Sequence, residues 1–141
     1  MKETLQFYFP HQNCIMDKTI INTGSAQAPI GPYNQAILVG NLMFISGQIA
    51  INPATGNIVA TDVIDEAHQV MQNLKSILTE AGLNFSHVVK TTIFLTDMNM
   101  FTMVNEVYGK YFSGEFPARE TVAVKGLPKN VNVEISMIAC K

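Results

Sequence analysis

Between residues 63 and 81, apolar side chains return every three or four positions: Val63, Ala67, Val70, Leu74, Ile77, Leu78 and Ala81. That period puts them on one stripe and predicts a helix over residues 62–81. Thr61 or Asp62 can cap its first turn, and Gly82 suits the left-handed position after its last. A second helical pattern covers about 99–112, with Phe101, Val104, Tyr108, Tyr111 and Phe112 on one side and Gly114 beyond its end. Elsewhere the pattern is that of strands. A β-branched run occupies 18–23, and two strands flank Gly40-Asn41 within 36–48. A long strand covers 86–97, and two more lie on either side of "GLPKN" at 126–130. Gly and Pro punctuate 24–35 and 52–57, which read as a loop and a turn.

The element order is thus β-β-β-α-β-α-β-β. It predicts an α+β fold in two layers, a mixed sheet with both helices on one face. In that arrangement Val89, Ile93 and Leu95 face the helices, while Phe94 and Ile138 lie on the uncovered face. An apolar sheet face without a cover predicts self-association as a closed ring or dimer. The last two strands are expected to form an antiparallel hairpin around Leu127-Pro128. Val124 then meets Val131, Val122 meets Val133, Thr121 lies opposite Glu134 and Arg119 lies near Ser136.

A length of 141 residues fits one domain. Residues 1–15 differ in pattern from the rest, precede Met16 and read as an extension of uncertain role. Residues 16–141 are the expected single domain. The start lacks the basic and long apolar regions of a signal peptide. Charged residues make up only 14% of the chain, against about 25% in an average soluble domain. With no apolar run long enough to span a bilayer, a subunit interface is the expected use of the charge-poor surface. The formal net charge is −2, and no basic cluster appears, which argues against nucleic acid as a partner. Cys14 and Cys140, at opposite ends, form no disulfide framework and fit a reducing cytoplasm.

Against that sparse charge, Arg119 and Glu134 stand out, one in each of the last two strands. The hairpin register gathers Arg119, Thr121 and Glu134 on the face the helices leave open. Two readings stay open at this point: an interfacial ion pair or solvated face, and a binding site. Arg grips a planar carboxylate through paired hydrogen bonds, and a nearby acid can hold or activate water. Other candidates are weaker. His11-x-x-Cys14 has metal-like spacing but no second pair, and no metal is expected. His68 and His87 read as surface residues. Ser46 has no base partner in view, and residues 24–35 lack the Gly-Lys-Ser/Thr ending of a phosphate loop.

The segments "APIGPYNQA" (28–36), "FISGQ" (44–48), "VVKTTIFLTDMNMFTMVNEVYGKYF" (88–112), "FPARETVAV" (116–124) and "LPKNVNVEISMIA" (127–139) closely resemble the RidA/YjgF family. The resemblance covers about residues 17–140. It implies a chorismate-mutase-like fold, a homotrimer with clefts between neighbouring subunits, and no cofactor. It also implies hydrolysis of reactive 2-imino (enamine) acids, such as 2-iminobutanoate and 2-iminopropanoate, to 2-oxo acids and ammonia. The family's carboxylate-binding Arg falls on Arg119, its loop Tyr on Tyr33 and its last-strand acid on Glu134. Its Ser-Gly pair falls on Ser46 and Gly47, and its helix Asn on Asn105. Deaminase members often carry Cys where this chain has Thr121. The family's use of that position is the backbone carbonyl, which any residue supplies. Two rival readings remain at the level of sequence: a non-catalytic sensor binding a small carboxylate or 2-oxo acid in the same cleft, and an endoribonuclease or translation inhibitor.

Overall fold

The computed structural model describes residues 17–59 and 62–141. The proposed extension, His11, Cys14 and the candidate cap Thr61 lie outside the described residues. Among the described residues six strands form one mixed sheet: β1 (Lys18–Ile21), β2 (Ala36–Val39), β3 (Leu42–Gln48), β4 (Val88–Leu95), β5 (Ala118–Ala123) and β6 (Val133–Cys140). Their order across the sheet is β1-β2-β3-β6-β4-β5. Helix α1 (Val63–Glu80) starts where the apolar stripe starts, with the Asp62 side chain accepting from the Asp65 N–H at 2.9 Å. Gly82 has φ +71° after its end, a conformation that glycine adopts without steric cost. Helix α2 (Phe101–Gly109) is shorter than the sequence pattern. Asp97 caps a 3-10 turn at Met98–Met100 that leads into it.

Both helices pack on the same sheet face. Val70, Leu74, Ile77 and Leu78 from α1 and Val104, Val107 and Tyr108 from α2 bury against Ile93, Leu95, Val133, Ile135 and Met137. The mixed α+β architecture with two helices over a six-stranded sheet matches the pattern-based expectation. Along β6 the alternation holds without a break: Val133, Ile135, Met137 and Ala139 are buried, and Glu134, Ser136 and Ile138 face the uncovered side half-exposed.

Two expectations fail. The last two strands do not form a hairpin. β6 inserts between β3 and β4, antiparallel to both, while β5 runs parallel to β4 at the sheet edge. The segment containing α2, which links β4 to β5, is long enough for the crossover that parallel neighbours require. The register is therefore Thr91↔Arg119 and Ile93↔Thr121, and Glu134 pairs with Phe94 rather than facing Thr121. Paired residues share a face, and Thr91 and Ile93 are buried under the helices. Arg119 and Thr121 thus lie on the helix side of β5. Val122 points to the open side, 43% exposed. Second, Val89 does not face the helices. A register shift between Val88 and Lys90 turns Val88 inward and leaves Val89 47% exposed.

Candidate active site

The loop before β2 is held down by buried amides. Gln35 donates through Nε2 to the carbonyls of Thr23 (3.0 Å) and Gln27 (2.8 Å) and accepts from the Thr23 N–H at 2.6 Å. The Gln27 side chain accepts from the Ile49 N–H at 2.9 Å, just beyond β3. Ser46 adds two ties, its N–H to Gln35 O at 2.9 Å and its hydroxyl to Asn34 O at 2.7 Å. These bonds fasten the loop to β3 and bring Tyr33 beside Ser46. The Tyr33 hydroxyl accepts from the Ile30 N–H at 3.1 Å, which leaves its own hydrogen to donate.

Tyr33, Ser46 and Gly47 line a recess of about 260 Å3 with Ile30, Pro128 and Glu134. Glu134 lies across Gly47 from the adjacent strand. A Cβ on Gly47 would overlap the Glu134 Oε1 and come within 2.8 Å of Cδ. Burial pushes the Glu134 carboxyl above its ordinary pKa. The start of β6 is fixed by Glu66 of α1, only 3% exposed, whose carboxylate accepts from the Asn132 N–H (2.8 Å) and Nδ2 (2.6 Å). Sequence periodicity gave no hint of Glu66, Gln27 or Gln35. Gln27 and Gln35 lie in an irregular segment, where burial leaves no repeat, and Glu66 sits on the buried stripe of α1 as a charged residue among apolar ones, there to satisfy the main chain at the start of β6.

A second recess, about 370 Å3, lies elsewhere on the chain and is lined by Asn105, Tyr108, Gly109, Phe116, Pro117 and Arg119. The Arg119 guanidinium carbon lies 4.9 Å from the Tyr108 ring centroid and 5.8 Å from that of Phe101. Among the described residues Arg119 has no acidic partner; the ion pair there joins Lys90 to Glu120 on the opposite face of β4 and β5. Val124 donates its N–H to Leu95 O at 2.8 Å. By alternation, the N–H and C=O of Arg119, Thr121 and Ala123 point to the free edge of β5. The Thr121 carbonyl thus points to the free edge of the sheet, while its hydroxyl is buried.

The expected residues are therefore divided. Tyr33, Ser46, Gly47 and Glu134 are together in one recess. Arg119 and Asn105 are together in another, and Thr121 lines neither. The single open-face cluster of Arg119, Thr121 and Glu134 does not form within one chain, because β5 presents Arg119 to α2 and β6 presents Glu134 to the uncovered face. His68 is also not a plain surface residue. It is half-buried, with Nδ1 3.0 Å from the Tyr111 hydroxyl. His87 belongs to a local capping box with Asn84.

Comparison with known proteins gives a consistent picture. Residues 23–141 match the model of a family described as Endoribonuclease L-PSP. Protein DfrA of Myxococcus xanthus is 52% identical over 126 residues, covering 88% of this chain and 96% of that protein. The 2-iminobutanoate/2-iminopropanoate deaminase of Homo sapiens is 45% identical over 122 residues, 86% of this chain and 89% of that one. The structure of E. coli TdcF with bound serine superposes with a TM-score of 0.84 at 42% identity, covering 87% of this chain and 98% of the other. With a family match over most of its length and relatives near half-identical across it, this chain belongs to the Endoribonuclease L-PSP family, also known as RidA/YjgF.

Proposed function

We propose that this protein hydrolyses reactive 2-imino acids, 2-iminobutanoate and 2-iminopropanoate among them, to 2-oxo acids and ammonia. The observation that carries the reading is the division of the site. A guanidinium with no acidic partner among the described residues occupies one recess and a half-buried carboxylate with a tyrosine hydroxyl the other, and the reaction needs both. A second copy, its Arg119 recess set against the Glu134 recess of the first, completes the site. Repeated round a closed ring, that contact gives a homotrimer with three shared clefts. The relatives named as deaminases support the substrate class, and the bound serine of E. coli TdcF, itself a small amino acid carboxylate, supports the kind of ligand.

In this cleft Arg119 binds the substrate carboxylate through its planar fork. Glu134 takes a proton from water as the oxygen adds to the imine carbon. The Thr121 carbonyl accepts the water's other hydrogen. Glu134 passes that proton to the imine nitrogen, giving the neutral carbinolamine; it then carries the hydroxyl proton to the same nitrogen as the C–N bond breaks, so that the C=O of the 2-oxo acid forms and ammonia leaves. Tyr33 donates its free hydroxyl hydrogen to the substrate, and Ser46 and Asn105 line the two walls. Imines hydrolyse unaided in water, so fixing substrate and water together suffices for useful acceleration. The chain carries 9 Lys+Arg against 11 Asp+Glu, and an RNA substrate would demand a basic face.

The decisive assay couples the protein to a threonine dehydratase, with semicarbazide trapping the imine that survives. Added protein should lower the trapped signal. An unchanged signal, with a 2-oxo acid still bound, would make the cleft a carboxylate sensor instead. Light scattering should give three times the chain mass, and a monomer at micromolar concentration would defeat the shared cleft.

The pH profile tests Glu134 separately. Its working form is the carboxylate, and burial raises its pKa. Activity should fall as pH drops through that raised value, so the acid limb of kcat/KM lies above the ~4.3 of an ordinary Glu. A limb at or below the ordinary value would remove Glu134 as the base.

A further inference from the structure

We infer that Tyr108, anchored on Thr91, is a positioning residue that holds the Arg119 guanidinium flat with its N–H edges turned to the carboxylate. The inference rests on the proposed role of Arg119 in binding that carboxylate. Arg119 is on an edge strand, where a long side chain has freedom to sweep through solvent. It has no acidic partner among the described residues to restrain it. What restrains it is a ring. Tyr108 is 3% exposed, locked into the core of α2, with its centroid 4.9 Å from the guanidinium carbon. Its hydroxyl donates to Thr91 Oγ1 at 3.1 Å. Thr91 is fully buried and is the β4 residue paired with Arg119 itself. The three residues therefore form a closed circuit of contacts: Thr91 fixes the ring, the ring lies under the guanidinium, and strand pairing fixes the base of Arg119 beside Thr91. Phe101 flanks the same cation at 5.8 Å.

A cation over an aromatic face is attracted by the ring's negative face, and a guanidinium that stacks in this way leaves all its donors in one plane at the edges. That is the geometry a bidentate carboxylate requires. The motif also explains why an Arg is tolerated on the helix side of β5. The apolar body of the stack substitutes for a core side chain while the edges stay open to the recess.

The test uses the full chain and 2-oxobutanoate as the probe, read by calorimetry alongside imine hydrolysis. Tyr108→Leu should weaken binding and raise KM about tenfold, while kcat falls by less than about threefold, since the reacting carbon is served by other groups. Tyr108→Phe keeps the ring, and should recover most of that loss. The Nε–H proton of Arg119 in the wild type should be shifted upfield by the ring current, a shift lost in the Leu variant. Equal losses in Phe and Leu, or wild-type binding in a folded Leu variant, would overturn the inference while leaving the function standing. If the Leu variant does not fold, the wild-type resonance decides: shielded supports the platform, unshielded overturns it. A wild type that neither binds 2-oxobutanoate nor consumes imine overturns the functional reading, and this inference with it.

Discussion

Arg119→Ala should abolish most imine hydrolysis while the protein keeps its fold. The removed charge-assisted pair with the substrate carboxylate is worth roughly 1.5–3 kcal/mol, or about 10- to 150-fold in binding. Misplacement of the imine carbon relative to the water adds to that loss. The fold is spared for a structural reason. Arg119 is half-buried at the sheet edge and satisfies no acid among the described residues, so its loss strands no buried charge. Arg119→Lys keeps the charge but not the planar fork held over the Tyr108 ring, and should recover only part of the activity. Oligomer mass, melting temperature and turnover should be measured on one Arg119→Ala sample. A folded, fully active trimer would remove Arg119 from the site. A dissociated one would instead make it an interface residue.

Gly47→Ala should be nearly as damaging, through a different atom. Nothing in the Gly47 backbone demands glycine, since its φ is not among the positive values found at Gly40, Gly56, Gly82 and Gly114. The demand is space. An alanine methyl would occupy the volume of the Glu134 carboxylate, within 2.8 Å of Cδ and 3.0 Å of Cγ. The obstructing group is the end of a flexible side chain, so the strand accommodates the methyl by moving the carboxylate. A base displaced by an ångström costs on the order of a hundredfold in rate. The melting temperature should change little, and carboxylate binding at Arg119 should survive, giving a loss in kcat far larger than that in binding. Normal turnover would mean that Glu134 does not act from over Gly47. A collapse in stability would mean that the strand, not the side chain, absorbs the methyl.

The chain disclosed some of this plainly and hid the rest. In α1 and β6 one side is fully covered by core, so the apolar period reports the face directly, and Glu134 was placed correctly by it. β5 is an edge strand beyond the main core, and neither of its sides is uniformly covered. There Val122 is exposed and Arg119 is stacked, the reverse of what its alternation suggests. Strand neighbours were also obscured. Leu127-Pro128 between two strands looks like a hairpin turn, and only the long helical crossover before β5 signals a parallel partner. The resemblance named the candidate site residues, but periodicity could not assign Arg119 and Glu134 to different recesses.

The place of β6 bears on how the molecule is made. It is the latest of the six strands in chain order, yet it lies between β3 and β4, joining β1-β2-β3 to β4-β5. While β6 is still within the ribosome, the two parts have no strand to unite them, and the open edges of β3 and β4 wait unpaired. Domains tend to fold as units during synthesis, and exposed strand edges invite association with other chains. The interval of greatest edge exposure thus runs from the emergence of β4 to the insertion of β6, and one and the same insertion completes both the sheet and the Glu134 recess.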